Sequence, residues 1–431
     1  MKEKLGKVFH GWWIVAAGVA IMALNYGGWY YAYGTFFTPI RNEFGWSRAK
    51  TSLAFSLARA EGGFEGLITG PLVDRFGPRI VIRVGMTIAA LGFLLMSQVH
   101  SFWMFIFSYT VILTLGMNAS SHMPNQTAIA KWFNKNRGLA LGVLTAGAAI
   151  AGSLLLQGTA RLIADYGWRT ANAVLGIMAL IIGWSMSYIH RPYGPEHYGL
   201  MVDGRGDKPT MELAKSTPIH GVEKGTVVSE GLSLKEALKT QTFWVMTVSF
   251  VASHAVLAAT VVHEIPFIED MGISPLLAAA ALGTMTLMSS PGRFFGGWVS
   301  DKWNLKYIYC ICSTIQAVGI FILSQTTSIS WVWAFVIIYG FGYGVRIPLE
   351  PAIRARYFGR KAFGTIFGFM NCFAAIGSFS GPYFAGWVFD TTRSYVIAFQ
   401  IFAVMLVASA IIILFLRNPL EYKPEQSSAN I

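Results

Sequence analysis

The sequence predicts an all-α polytopic membrane protein, with twelve transmembrane helices arranged as two pseudo-symmetric six-helix bundles. Three observations carry this. The first is composition: of 431 residues, 54% are hydrophobic and only 13% charged, with a mean hydropathy of +0.51. A soluble domain is roughly a quarter charged, so this chain has too few charges to cover a soluble surface and is too apolar to be disordered. The second is a series of twelve apolar stretches, each near the roughly 20 residues that cross a bilayer. The third is an internal repeat at a nearly constant offset. Aromatics at 14% and 45 glycines suit close-packed helices with interfacial aromatic anchors.

The elements follow in order. The short basic stretch 1–10 precedes an apolar run that is too long for a signal-peptide core and has no convincing small-residue cleavage site, so it reads as the first span. Candidate spans lie near 11–37, 48–72, 80–98, 103–128, 138–163, 171–189, 242–267, 276–299, 306–324, 331–353, 362–388 and 394–416. They are expected to be helices, because lipid offers no partner to an unpaired backbone group. One long polar segment, 190–241, splits them six and six, giving an N-terminal bundle over 1–189, a central loop over 190–241 and a C-terminal bundle with a short tail over 242–431. Within the loop, Ser233-Leu234-Lys235-Glu236 matches an S-x-x-E capping box. A short surface helix leading into span seven and a chance match are both open readings.

Sidedness follows from Lys and Arg. The segments on the side of the termini, 1–10, 73–83, 129–137, 190–241, 300–306, 354–361 and 417–431, hold 24 of them. The opposite side holds six: Arg41, Arg48, Lys50, Arg161, Arg169 and Arg393. That split places both termini and the central loop in the cytoplasm of a multi-pass cell-membrane protein, the inner membrane if the source is Gram-negative. It also accounts for the net charge of +12, which in a soluble chain would prompt a nucleic-acid reading. The three cysteines, Cys310, Cys312 and Cys372, form no CxxC pair and imply neither a disulfide framework nor a zinc site.

The repeat pairs Gly70-Pro71-Leu72-Val73-Asp74-Arg75 after span two with Gly297-Trp298-Val299-Ser300-Asp301-Lys302 after span eight. It also pairs Lys131-Trp132-Phe133 after span four with Arg356-Tyr357-Phe358 after span ten. Six-helix halves in parallel repeat are the architecture in which two bundles rock around a midplane site. Gly70 to Arg79 resembles the G-x-L-x-D-R-x-G-x-R loop of the major facilitator superfamily, here with Asp74, Arg75, Gly77 and Arg79 in register. The run from Lys131 to Gly142, ending in Ala146-Gly147, and Gly11-Trp12-Trp13 resemble its monocarboxylate-transporter and oxalate/formate-antiporter branch. The resemblance implies the major facilitator fold. It also implies a conformational latch in which Asp74, and Asp301 beside Gly297 in the second half, cap a helix of the other bundle. A carboxylate at a helix N-terminus is favourable by about 0.3–1 kcal/mol, small enough to be broken and remade in each cycle. A plain loop salt bridge is the blander alternative.

Six charges sit well inside spans: Arg59, Glu61 and Glu65 in span two, Arg293 in span eight, and Arg346 and Glu350 in span ten. A charge at the bilayer centre costs about 2.5–3.5 kcal/mol on insertion scales, so six imply a polar cavity. Glu61 and Glu65 share a helix face, which disfavours double ionisation. Arg346 and Glu350 share a face and can pair. Arg293 is flanked one turn away by Ser289 and Gly297, with no acid there. An arginine fork matches both oxygens of a carboxylate. In the resembled branch a span-eight arginine binds the substrate carboxylate, and Arg293 is the matching position; a structural ion pair with Glu61 or Glu65 is the alternative.

This chain departs from the branch in three places. Ser289 replaces an aspartate common one turn before that arginine. Span one lacks the branch's late lysine, with Tyr31 near that position. Residues 362–391 contain no Lys or Arg to match the second cation of the oxalate exchangers, a part left to Arg346. Glu61, Glu65 and Glu350 are the candidate proton carriers. His122, Asn25 and Tyr31 are candidate pocket-lining groups, with packing or interfacial anchoring as the alternatives, and His263-Glu264-Ile265-Pro266 resembles an H-x-x-P segment of the branch. There is no phosphate loop, no catalytic triad and no metal cluster in the sequence, so neither enzyme nor cofactor is expected.

The expected function is secondary active transport of small organic anions, as proton-coupled monocarboxylate symport by alternating access. Anion–anion exchange, export of cations or drugs, and a transporter-like sensor are the alternatives. The expected partners are a small carboxylate, a proton and the lipid bilayer. Nucleic acid is not among them, and a monomer suffices.

Overall fold

The computed structural model describes residues 9–62, 65–133, 136–191, 194–198, 200–202, 231–300, 303–359, 362–417 and 419. Asp301 lies outside them, as do the side chains of Glu65 and Asp74. Helices dominate the described residues. Span one is built from a helix His10–Ala23, a π-helical stretch Leu24–Tyr30 and a helix Tyr33–Phe44. Span two starts as Arg48–Gly62, and a second helix, Glu65–Ser97, completes it and continues into span three. That helix breaks at Gly77, whose φ of 77° and ψ of 160° lie where a side chain is strained. The glycine of the D-R-x-G-x-R loop is therefore the joint between spans two and three.

Span four runs through Phe102–Ile106, a π-helical stretch Phe107–Leu113, Thr114–Ser120 and His122–Trp132. The helix Arg137–Ile189 holds spans five and six, broken at Gly167 with φ 81° and ψ 162°. In the second half, span seven is Gln241–Asp270, span eight Pro275–Ser300, span nine Leu305–Ser324, span ten Ile329–Phe358, span eleven Phe363–Thr392 and span twelve Val396–Ile412, ending in a 3-10 turn. Eight helical stretches are long and apolar enough to cross a membrane on their own composition. One of these stretches, Gly138–Ile189, holds both span five and span six, and spans two, eight and eleven are not among the eight, which accounts for the difference from twelve.

The short helix Leu234–Leu238 forms before span seven. Ser233 Oγ accepts from the Glu236 N–H at 3.4 Å and Glu236 Oε2 accepts from the Ser233 N–H at 2.7 Å, the reciprocal capping box the sequence contains.

The repeat is visible in the turns. Gly45 and Gly272, 227 residues apart, both have positive φ (64° and 80°) and close spans one and seven. Gly167 and Arg393, 226 apart, both have positive φ (81° and 58°) and close spans five and eleven. Ser101 and Ser328, 227 apart, cap spans four and ten in the same extended conformation.

The described residues fall into two compact units. One is drawn from Met1–Trp29, Glu65–Leu155 and Arg169–Val228, the other from Tyr30–Phe64, Leu156–Trp168 and Ser229–Ile431. In the first, the branch-like motifs pack on each other: Trp12 meets Phe133 edge-on at 5.2 Å, and a Cβ at Gly11 would lie 2.8 Å from the Phe133 ring. In the second, spans eight and ten interlock so tightly that a Cβ on Gly292 would meet Phe341 O at 2.4 Å and one on Gly296 would meet Val345 O at 2.4 Å. Small residues at such seams let backbones touch, and here the seam joins the helices that carry Arg293 and Arg346.

Candidate functional site

The second unit contains two charged clusters. In the first, span ten presents Arg346, Glu350 and Arg354 at one-turn intervals, so all three share a face. Glu350 Oε1 lies 3.5 Å from Arg346 Nε and Oε2 lies 3.5 Å from an Arg354 terminal nitrogen. His254 of span seven adds its Nε2 at 3.9 Å, while its Nδ1 is 2.9 Å from Phe250 O, one turn back. Both arginines are only 2% exposed. The Arg354 guanidinium lies over the rings of Phe250 (4.6 Å) and Phe367 (4.4 Å), a favourable seat for a desolvated cation. Arg346 NH1 has no hydrogen-bond partner among the described residues. Two permanent cations thus share one carboxylate, leaving an excess positive charge in a buried site. Arg354 corrects the sequence reading, which counts it with the cytoplasmic loop 354–361; the structure buries it within the last two turns of span ten. A basic residue near a helix end reads as a positive-inside marker whether or not a carboxylate waits one turn earlier.

The second cluster joins the start of span two to the ends of spans seven, eleven and twelve. Asp390, in the last turn of span eleven, accepts the backbone N–H of Arg48 on Oδ1 and that of Ala49 on Oδ2, both at 2.9 Å. It thereby caps a helix N-terminus 342 residues away in sequence. The Arg48 side chain, 4% exposed, donates to Asp270 Oδ1 at 2.6 Å and to the Tyr395 hydroxyl at 2.7 Å, and its guanidinium lies 3.6 Å from the Phe389 ring centroid. Tyr395 Oη is 2.8 Å from His263 Nδ1, and His263 Nε2 is 2.8 Å from Pro382 O. The chain fits one direction: Arg48 donates to Tyr395, Tyr395 donates to Nδ1, and the Nε2–H donates to Pro382 O. Ser52 Oγ donates to Arg48 O at 2.7 Å and sits 3.1 Å from His263 Nε2. Gly386 permits the contact, since a Cβ there would lie 2.8 Å from Ala49 N. This cluster was missed by sequence reasoning, although a signal exists. Arg48 at a helix start and Asp270 and Asp390 at helix ends all oppose their own helix dipoles, which makes sense only if their partners lie on other helices.

The remaining predicted residues are placed as follows. Arg293 is half-buried in span eight, one residue from the Gly292 seam. Tyr31 is 1% exposed and packs edge-on against Tyr30 at 4.9 Å. Arg59 lies over the Tyr30 ring at 4.7 Å and the Phe55 ring at 5.2 Å, and Glu61 is half-buried at the end of that helix. In the first unit, Asn25 is buried and donates to Met117 O at 2.8 Å, a tie between spans one and four. His122 Nε2 is 3.0 Å from the Tyr26 hydroxyl. Of the latch residues, a Cβ on Gly70 would meet only the flexible end of Met123, at 3.0 Å. Arg75 lies 5.3 Å from the Phe76 ring and Arg79 lies 4.6 Å from the Tyr188 ring, while Gly297 borders open space. No group of His, Cys, Asp and Glu able to hold a metal occurs among the described residues.

A twelve-span helical chain with a six-helix repeat and buried, unequally paired charges defines a membrane transporter. Residues 18–379 match the family model described as Major Facilitator Superfamily, and the chain belongs to that family. It is a multi-pass transporter, not an enzyme. Among similar proteins, Monocarboxylate transporter 12 of Xenopus laevis is 24% identical over 412 residues, covering 94% of this chain and 88% of that one. An uncharacterized MFS-type transporter of Bacillus subtilis, YcxA, is 23% identical over 418 residues, covering 93% and 94%. The inward-facing, unoccupied crystal structure of a bacterial homolog to the human lysosomal transporter Spinster is similar in fold, with a TM-score of 0.68 at 15% identity over 95% of this chain and 96% of that one.

Proposed function

We propose that this transporter carries small monocarboxylates together with a proton by alternating access. The observation that carries the reading is the excess of cations in the second unit: Arg346 and Arg354, both buried, share the single carboxylate of Glu350, and Arg346 NH1 still offers a donor. A desolvated cationic site with an unfilled donor favours an anion, and an arginine fork favours a carboxylate. The relatives named as monocarboxylate transporters support the same substrate class. Arg293 is the carboxylate ligand in this account and Arg346 the second cation. Tyr31, His122 and Asn25 line or buttress the path, and Glu61, Glu65 and Glu350 are the candidate proton carriers. Gly70, Asp74, Arg75, Gly77, Arg79, Gly297 and Asp301 form the latch at the cytoplasmic end. The halves 1–189 and 242–431, joined by the cytoplasmic loop 190–241, rock around a midplane site, with both termini inside, and the Arg48 cluster then seals the outer end. One chain holds all these parts, so a monomer suffices.

The test is Arg293→Gln in proteoliposomes. The variant is expected to fold and to retain the fluorescence and thermal transition of the parent, while losing substrate affinity at least tenfold. Full uptake with unchanged affinity refutes the assignment.

A further inference from the structure

Glu264 of span seven is used neither by the cation-rich cluster nor by the seal, and it is the most thoroughly enclosed acid among the described residues. It is 0% exposed, and neither carboxyl oxygen has a hydrogen-bond partner among them. The stretch that holds it is where spans one and seven close on each other: a Cβ on Gly34 would meet Val261 O at 3.0 Å and Ile265 Cδ1 at 3.2 Å. Its neighbour His263 belongs to the seal network.

A carboxylate stripped of water, donors and counter-charge is among the least favourable arrangements a protein can hold. Either the group carries a proton or the packing around it does not form. Burial at this end and protonation at this oxygen are therefore linked, each favouring the other.

We propose that Glu264 is a proton-binding site of the transport cycle, whose occupation allows the Arg48 seal to close. The proton binds one carboxyl oxygen when the end is open and wet, stays while it is sealed, and is released as a carboxylate when the end opens again. This deepens the proton-coupled reading and rests on it only for the consequence in transport, since the linkage between proton and seal stands by itself.

The surrounding titratable groups give the sign. Among the described residues, Tyr339 of span ten interacts electrostatically with Glu264. Span ten also carries Tyr343 and Arg346 further along. On the other elements packed here, Tyr33 of span one donates to Thr51 O, while Arg48 of span two, Asp390 of span eleven and Tyr395 before span twelve belong to the seal. Arg293 of span eight sits about 27 Å of helix beyond the start of that span at Pro275, whereas Glu264 sits about 9 Å of helix before the end of span seven at Asp270. On span seven itself, Glu269 borders a cavity of about 530 Å³ lined by Thr35, Thr38, Asn42, Ala164 and Ser274, and Asp270 pairs with Arg48. That cavity begins about 7.5 Å of helix beyond Glu264, which gives the proton a short route in. Titration of Glu264 closes the seal on acidification. Titration of His263 does the reverse, because a proton on Nδ1 displaces the Tyr395 hydroxyl that donates to it.

The test places nitroxide labels at Tyr166 and Trp331, both exposed and both in the second unit, in the full chain in lipid nanodiscs, and follows their distance distribution from about pH 5 to about pH 9. The sealed population of the parent is expected to rise as pH falls. Glu264→Gln and the apolar Glu264→Met are expected to remain sealed across the range, and Glu269→Gln to titrate like the parent. A Glu264→Gln variant that titrates like the parent overturns the proposal, as does a parent whose seal opens on acidification. In proteoliposomes, Glu264→Gln is expected to exchange labelled lactate but not to accumulate it under an imposed proton gradient. A seal that titrates through Glu264 in a parent whose uptake ignores the gradient upholds the proton site and refutes symport. Gradient-driven uptake that survives in Glu264→Gln upholds symport and refutes the site.

Discussion

Removing the Asp390 carboxylate should open the end of the transporter that it seals. In Asp390→Ala the two acceptors at 2.9 Å from the N–H groups of Arg48 and Ala49 are lost together. Loss of an N-cap costs about 1 kcal/mol, and loss of a carboxylate at a helix N-terminus costs about 0.3–1 kcal/mol more. Because the donor helix begins span two and the acceptor ends span eleven, this sum of about 1.3–2 kcal/mol falls on the equilibrium between sealed and open forms. At about 1.4 kcal/mol per tenfold, the open population rises about 10–30-fold. Ser56→Cys reports it. Ser56 is fully buried one turn beyond Ser52, and serine to cysteine is nearly isosteric. With Cys310, Cys312 and Cys372 replaced, a membrane-impermeant reagent reaches the thiol introduced at position 56 only through the open form, so the labelling rate should rise by the same factor. Asp390→Asn keeps one acceptor and should fall between. A rate in Asp390→Ala equal to the parent's refutes the idea that this cap holds the end shut.

Three further outcomes follow from the same geometry. Arg48→Gln removes the 2.6 Å pair with Asp270 and the donor to Tyr395, and should raise labelling of the same introduced thiol further; combined with Asp270→Asn it should add little, since both break one contact. Glu350→Gln leaves two buried arginines with no counter-charge and should destabilise the folded protein by about 3–5 kcal/mol, read as a lowered Tm in detergent, with Arg346→Gln restoring part of it. His190, just beyond span six, is fully buried with Nε2 3.1 Å from Asn125 Oδ1, and burial pushes it down to about 4. The unfolded chain therefore takes up the proton first, so stability is complete above about pH 6.5 and is lost as pH falls toward 4, by up to about 3 kcal/mol. Denaturant midpoints should show that slope in the parent and a flatter one in His190→Gln.

Much of the fold was legible because a bilayer constrains sequence strongly. Span length, the Lys/Arg asymmetry and the 225–227 offset each report on topology, and the offset reappears in the paired turns at Gly45 and Gly272 and at Gly167 and Arg393. The Arg346–Glu350 pair was legible because helical spacing alone brings residues four apart together. Arg354 was not, because a basic residue near a helix end has the same local signature as a loop charge. The seal was hidden for a different reason: its contacts between helices join residues 119 to 347 positions apart, and no local periodicity encodes them. Glu264 was visible only as part of a short motif, since enclosure on all sides is a property of the packed helices and not of the span that carries the acid.

We propose that the cation-rich site takes a monocarboxylate and that a proton travels with it. This proposal is tested most directly in proteoliposomes holding the purified full chain, with an inward proton gradient imposed and labelled lactate, pyruvate, acetate, formate and oxalate offered in turn. At least one monocarboxylate is expected to accumulate above its external concentration, and a protonophore is expected to abolish the accumulation. Uptake that occurs only with anion loaded inside, whatever the gradient, would contradict the proposal and identify an exchanger.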